Sequence, residues 1–222
     1  MPIHYFPANF VYWKNAINHD KIKARIVPKI EELHEEHKNN HMGLGYGYTS
    51  YFKTSMEIER ENLFLKNDSL LMESIWDAVD ETINYLRKNK NGFVPSINKS
   101  IMTKIWYSYY DKGGYHGLHS HDSVPYEENG VRYTSSFSVV YVLKDESPQN
   151  VTMFKQLDRS MPLISEKEYI FDTRNESTIK EGSILVFPAG LYHEVKEVMV
   201  GKRMIIAVDI MSDIGSNLNI PY

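Results

Sequence analysis

Cysteine is absent from the 222 residues. That excludes disulfides, thiolate zinc sites, iron–sulfur clusters and cysteine nucleophiles, so any metal must rest on histidine, aspartate or glutamate. No apolar run approaches the roughly 18 residues a transmembrane helix needs. The opening Met1-Pro2-Ile3-His4-Tyr5-Phe6 has no basic stretch leading into an apolar one, so no signal peptide is expected. A cysteine-free, unexported chain is expected in the cytoplasm. Positive charge is not in excess either: 25 Lys and Arg against 29 Asp and Glu give a net charge of −4, which provides no broad basic field for nucleic acid. Internal repeats and low-complexity tracts are lacking. What remains, 42% hydrophobic and 24% charged, is the composition of a soluble globular chain, and the length fits a single domain over residues 1–222.

The chain changes character near Gly92. Before it, helical patterns dominate. Ile17, Ile22, Ile26, Ile30 and Leu33 recur at roughly helical spacing, with Pro28 a kink or boundary. Leu71, Ile75, Val79, Ile83 and Leu86 form a clearer stripe that Asn67 or Asp68 can cap. After Gly92, segments 101–110, 133–143, 151–157, 183–187, 192–199 and 203–210 are β-prone and separated by turn signals. Helices first and strands after predict an α+β fold. In it residues 1–92 are mainly helical support, packed against one sheet of a jelly-roll core formed by residues 93–222. The 16 tyrosines, several of them clustered at 107, 109, 110 and 115, fit core filling first and a substrate platform second.

Two segments carry chemistry. In the first, Gly113-Gly114-Tyr115-His116-Gly117-Leu118-His119-Ser120-His121-Asp122, side chains at i and i+2 of a strand share a face, so His119 and His121 can enter one cavity. Two neutral imidazoles at that spacing make half a site for iron, zinc, nickel or manganese. In the second, running from Gly182 through Phe187-Pro188-Ala189-Gly190 to His193, an apolar strand meets a Pro/Gly turn and His193 opens the next strand. Three inward histidines of a small barrel make a facial metal site with open positions. His34, His37 and His41 fit a solvated helix end. His34-Glu35-Glu36-His37 is not the zincin HExxH pattern, its second histidine coming one residue early. Gly43, Gly45 and Gly47 read as a flexible turn.

Arg203 lies ten residues after His193. If Met199-Val200-Gly201 form a three-residue turn, Glu197 pairs with Arg203, and Arg203 shares the face of His193. The axial offset is then about 13 Å at roughly 3.3 Å per residue. A five-carbon dicarboxylate spans that gap, chelating the metal at one end and meeting the guanidinium at the other.

With these residues placed, the chain resembles the 2-oxoglutarate/Fe(II)-dependent oxygenases, and most nearly a small family of them common in phages and marine bacteria. Trp106, Gly113, His119, His121, Gly182, Phe187, Pro188, His193 and Arg203 fall in register with that family's pattern, over about residues 100–211. An asparagine of the family is Ser108 here. The wider superfamily's His-x-Asp is His119-Ser120-His121, so either His121 is the third ligand or a bulge brings Asp122 in; strand parity favours His121. The segment from Asp122 to Thr134 is a longer polar insertion than the family has, and reads as a lid.

The resemblance implies a double-stranded β-helix and an Fe(II) ion held by His119, His121 and His193. It implies 2-oxoglutarate as cosubstrate, bound by Arg203 with Ser108 or Tyr110, and O2 and an unnamed primary substrate as partners. The reaction implied is hydroxylation coupled to decarboxylation of 2-oxoglutarate. A phage-encoded chain would work in its host's cytoplasm. A homodimer is permitted without being required. The alternative is a cupin-type three-histidine metalloprotein, a dioxygenase, isomerase or binding domain. Gly113-x5-His119-x-His121 and Gly182-x5-Pro188-x-Gly190-x2-His193 fit the cupin pattern as well. Arg203, the roughly 60-residue gap between the motifs and the helical front favour the oxygenase.

Overall fold

In the computed structural model, which describes residues 3–6, 9–37, 45–52, 55–88, 97–121, 123–147, 152–157 and 168–214, strands outnumber helices from the start of the chain. The order is β1 (Ile3–Phe6), β2 (Asn9–Asn15), α1 (His19–His37), β3 (Gly45–Tyr46), β4 (Tyr48–Thr49), α2 (Ser55–Lys66) and α3 (Ser69–Lys88). There follow β5 (Ile97–Tyr110), β6 (Tyr115–His119), β7 (Tyr126–Glu128), β8 (Val131–Asp145), β9 (Thr152–Leu157), β10 (Glu168–Asp172), β11 (Ser183–Pro188), β12 (Tyr192–Val195) and β13 (Arg203–Ile214).

These strands form two antiparallel sheets. The larger runs β1-β2-β11-β8-β13-β5-β4, with β7 added to β8; the smaller runs β10-β9-β12-β6-β3. Period-two alternation decides which layer each side chain joins. Along β13, Met204, Ile206 and Val208 enter the layer shared with the helices, whereas Ile205 enters the layer between the sheets with Phe154, Phe187 and Val195. The three helices pack on β2, β5, β8 and β11, all strands of the larger sheet. The fold is α+β: a double-stranded β-helix with its N-terminal helices against one sheet.

The best helical stripe folds as its pattern requires. The Asp68 carboxylate accepts from the Leu71 amide at 2.9 Å, so Asp68, not Asn67, is the cap of α3. Leu71, Ile75, Val79 and Ile83 are buried beneath it. Pro28 lies inside α1 and does not end it, because Ile26, Val27 and Ile30 anchor the helix on both sides of the lost amide. Ile17 lies before the helix and is exposed.

The first 92 residues also supply strands to both sheets, which the helical patterning did not foretell. β2 reads Asn-Phe-Val-Tyr-Trp-Lys-Asn, and Phe10, Val11, Tyr12 and Trp13 are all buried, alternately in the two layers. A strand covered on both faces has no polar alternation to betray it. Gly47, between β3 of the smaller sheet and β4 of the larger, carries φ +142, and a Cβ there would meet the Tyr110 ring at 2.9 Å. It is a crossing point between sheets where only glycine fits. No helix among the described residues is long and apolar enough to cross a membrane.

Ile206 is fully buried on β13, the strand between β5 and β8. Ile206→Ala is expected to lower stability by about 2–5 kcal/mol, read as a shift of the urea midpoint with unchanged slope; a change under ~1 kcal/mol contradicts this packing.

Candidate metal centre

Three elements bring the histidines together. His119 ends β6 and pairs directly with His193 of β12. His121 lies two residues beyond β6, its amide donating to the Ala189 carbonyl at 2.9 Å. His119, His121 and His193 present ligand nitrogens that all lie within 4.8 Å of one another. Ring centroids are 5.1 Å apart for His119–His121, 4.3 Å for His119–His193 and 4.9 Å for His121–His193.

The hydrogen bonds fix which nitrogen is free. Nδ1 of His119 lies 2.8 Å from the Gly117 carbonyl, and Nδ1 of His193 lies 3.1 Å from the Leu191 carbonyl. A carbonyl only accepts, so each Nδ1 carries the proton and each Nε2 keeps its lone pair. Nδ1 of His121 is 2.9 Å from the Asp209 carboxylate, and the same logic frees its Nε2. Burial holds the His119 ring below the usual histidine range and the His193 ring well below it, which keeps both in the neutral, metal-binding form. The donor set fits a divalent first-row metal, whose bonds to imidazole are about 2.1 Å long.

A fourth histidine joins them. His193 pairs with His119 but Val195 pairs with His116, so one residue of β12, Glu194, faces two of β6, Gly117 and Leu118. This bulge turns His116 onto the face of His119, where the rings stack at 4.2 Å. Burial, with its histidine neighbours, pushes His116 down to about 4. Strict parity places 116 and 119 on opposite faces, so sequence reasoning passed His116 over.

The histidines line a cavity of about 230 Å³ with Ser108, Tyr110, Thr152, Val140, Val195, Ile205 and Trp106. Ser108 donates to the Thr49 hydroxyl at 3.1 Å, and the Tyr110 hydroxyl is 3.3 Å from His116 Nδ1. Burial raises the Tyr110 phenol to about 12, so it stays a neutral donor. Tyr107 and Tyr109, of opposite parity, pack in the helix-side layer. Tyr51, Ser120 and Ser123 are the partly exposed residues of the lining outside the histidine cluster. The Tyr51 and Trp106 rings lie 4.8 Å apart there.

Arg203 reaches the interior by a route other than the expected hairpin. β12 belongs to the smaller sheet and β13 to the larger, so residues 196–202 cross between sheets and Glu197 does not pair with Arg203. Arg203 instead lies opposite Tyr110 and Asp145, which puts it on the inner face. Its side chain is fully buried, ion-paired with Asp145 through Nη1 and bonded to the Thr152 hydroxyl through Nη2 at 2.9 Å. Its Nε has no hydrogen-bond partner. Arg203 itself does not line the cavity; Thr152 and Tyr110, which do, stand beside it. Burial raises the Asp145 carboxyl while Arg203 opposes that rise.

Residues 123–134 are not a free lid: β7 pairs with the start of β8 across Asn129-Gly130, both at positive φ, a two-residue hairpin whose Asn-Gly signal was legible. His34 is not a solvated residue; its ring stacks on Tyr109 at 3.8 Å. His37's side chain, and residues 41, 43 and 122, lie outside what the structure describes.

No protein-family model matches the chain, and the search of curated proteins finds no match. Solved structures do match. The non-haem α-ketoglutarate-dependent carbocyclase SnoK from nogalamycin biosynthesis superposes with a TM-score of 0.55 at 8% identity, over 90% of this chain and 79% of its own. HygX from Streptomyces hygroscopicus, with nickel and 2-oxoglutarate bound, gives 0.51 at 11% identity, over 90% and 81%. A Pseudomonas putida prolyl-4-hydroxylase gives 0.50 at 10% identity, over 90% and 91%. The fold is that of the 2-oxoglutarate/Fe(II) oxygenases.

In this oxygenase fold the buried imidazoles bind fewer protons than they do in the unfolded chain. Stability is therefore full above about pH 6.5 and declines as pH falls towards 4. The melting temperature of metal-free protein is expected to drop between pH 7 and pH 5, and to drop less in His116→Gln. An equal drop in both contradicts the contribution of His116.

Proposed function

We propose that the chain is a 2-oxoglutarate- and Fe(II)-dependent oxygenase, most simply a hydroxylase, formed as one domain. The observation that carries the reading is the convergence of ligand nitrogens of His119, His121 and His193, all within 4.8 Å of one another, at a cavity of an oxygenase fold. His119, His121 and His193 would hold the ion. When bound, it supplies activation of O2 coupled to the conversion of 2-oxoglutarate, O2 and substrate R–H into succinate, CO2 and R–OH.

The chain's own residues orient and exclude. Val140, Val195, Ile205 and Ala207 are apolar walls of the cavity and keep bulk water from the reacting groups. Tyr110, Thr152 and Ser108 offer hydroxyls to the cosubstrate. Arg203 is the anchor for its distal carboxylate. In support of that role, Nη1 and Nη2 are already held by Asp145 and Thr152, while the buried Nε–H has no acceptor. Leaving such a donor unmet costs about 1–3 kcal/mol. A carboxylate reaching past Tyr110 and Thr152 satisfies it. The primary substrate enters at the Tyr51 and Trp106 end. The absence of cysteine suits a reducing compartment such as the cytoplasm.

Protein reconstituted with Fe(II) is expected to convert 2-oxoglutarate to succinate, and His193→Ala to reduce this to background. Arg203→Lys keeps the charge beside Asp145 but loses the planar fork. It is expected to raise the KM for 2-oxoglutarate by about 10- to 100-fold, the loss of one charged hydrogen-bonded contact. Succinate formation unaffected by His193→Ala, or a KM unchanged in Arg203→Lys, contradicts the respective assignment.

A further inference from the structure

Asp209 is a buried carboxylate whose ring partner is a candidate metal ligand, His121. It sits on β13, 5% exposed. Its carboxylate is contacted by His121 Nδ1 at 2.9 Å and by the Ser138 hydroxyl at 3.4 Å. Among the described residues no lysine or arginine is ion-paired with it. Lys104 of β5 stands opposite in register but is exposed, and it donates to the Tyr51 hydroxyl at 3.1 Å. β8 offers the hydroxyl of Ser138. An ionised carboxylate taken out of water is expensive unless positive charge compensates it. Here a compensating charge would lie beyond the imidazole, on the divalent ion that His121 would help to hold.

We propose that Asp209 is the positioning residue of the metal centre, supplying through the His121 ring the negative charge that three neutral histidines lack. The inference rests on the metal-site reading above. A centre of two histidines and a carboxylate places one anionic charge in direct contact with the ion, and three neutral imidazoles place none. With Asp209 accepting from Nδ1–H, the ring is fixed in one tautomer and one orientation, and Nε2 becomes a more basic donor. His121 and Asp209 together thus do what a carboxylate ligand does alone, with the charge moved one ring outward. Asp209 touches neither cosubstrate nor ion; it acts through His121.

The test uses the metal alone. Metal-free wild type and Asp209→Asn are titrated with Co(II) against a competing chromophoric chelator, with circular dichroism as the check on folding. Asparagine retains a carbonyl acceptor for Nδ1–H, so the variant removes charge and keeps the hydrogen bond. A loss of affinity of about 10- to 100-fold is expected. The comparison is repeated in His121→Asp, where a carboxylate is already available to the ion; there Asp209→Asn is expected to cost less than about threefold or to strengthen binding. Asp209→Asn within about threefold of wild type overturns the proposal. So does an equal loss in both backgrounds, which marks Asp209 as merely structural. Should Asp209→Asn fail to fold alone, the comparison within His121→Asp decides: a loss of about tenfold there overturns the inference. Wild type that binds no Co(II) overturns the metal-site reading itself, whereas tight wild-type binding with an unaffected Asp209→Asn overturns this inference alone.

Discussion

Each of the three converging imidazoles has its Nδ1 engaged by a fixed acceptor, and everything else about the site depends on that. Two acceptors are local: Gly117 and Leu191 carbonyls, each two residues before its histidine. The third is remote, the Asp209 carboxylate on the opposite sheet. The local pair sets the tautomer of His119 and His193 from within their own segments. The remote contact requires both sheets to have come together. The site is therefore complete only when the sandwich is, and the placing of His121 reports on that closure.

The division of labour between the sheets follows. The larger sheet carries the helices on its outer face and Ser108, Tyr110, Arg203 and Asp209 on its inner one; the smaller contributes His116, His119, Thr152 and His193. Charge is distributed with the same economy. The guanidinium of Arg203 is met by Asp145 at the buried end, and Asp209 stands behind His121 nearer the partly exposed end. A dianionic cosubstrate between them would meet a metal on one side and an already shared arginine on the other.

Much of this was legible in the sequence, for reasons that can be named. His119-x-His121 needs only period two, and the turn before His193 is written in Pro188 and Gly190. The α3 stripe and its Asp68 cap need only period 3.6 and one side-chain oxygen. Other features were hidden by particular physics. β2 is buried on both faces and shows no alternation. His116 is turned inward by a bulge, a one-against-two register that belongs to the pairing and not to either strand. Arg203 was placed on the inner face through a hairpin that does not exist; the crossing from β12 to β13 put it there by its register with Tyr110. Asp209 and Asp145 have no local signal, since their partners lie 88 and 58 residues away.

The central claim is that these three rings, held by their Nδ1 bonds, share one ion. The most direct measurement is a crystal structure of the protein with Mn(II) in place of iron and 2-oxoglutarate, phased to show anomalous scattering. The account predicts a single strong peak within bonding distance of Nε2 of His119, His121 and His193, with the Asp209 contact to His121 retained and the distal carboxylate at Arg203. A peak bound through Asp122 with His121 turned away, or rings that hold no metal at all, would contradict it.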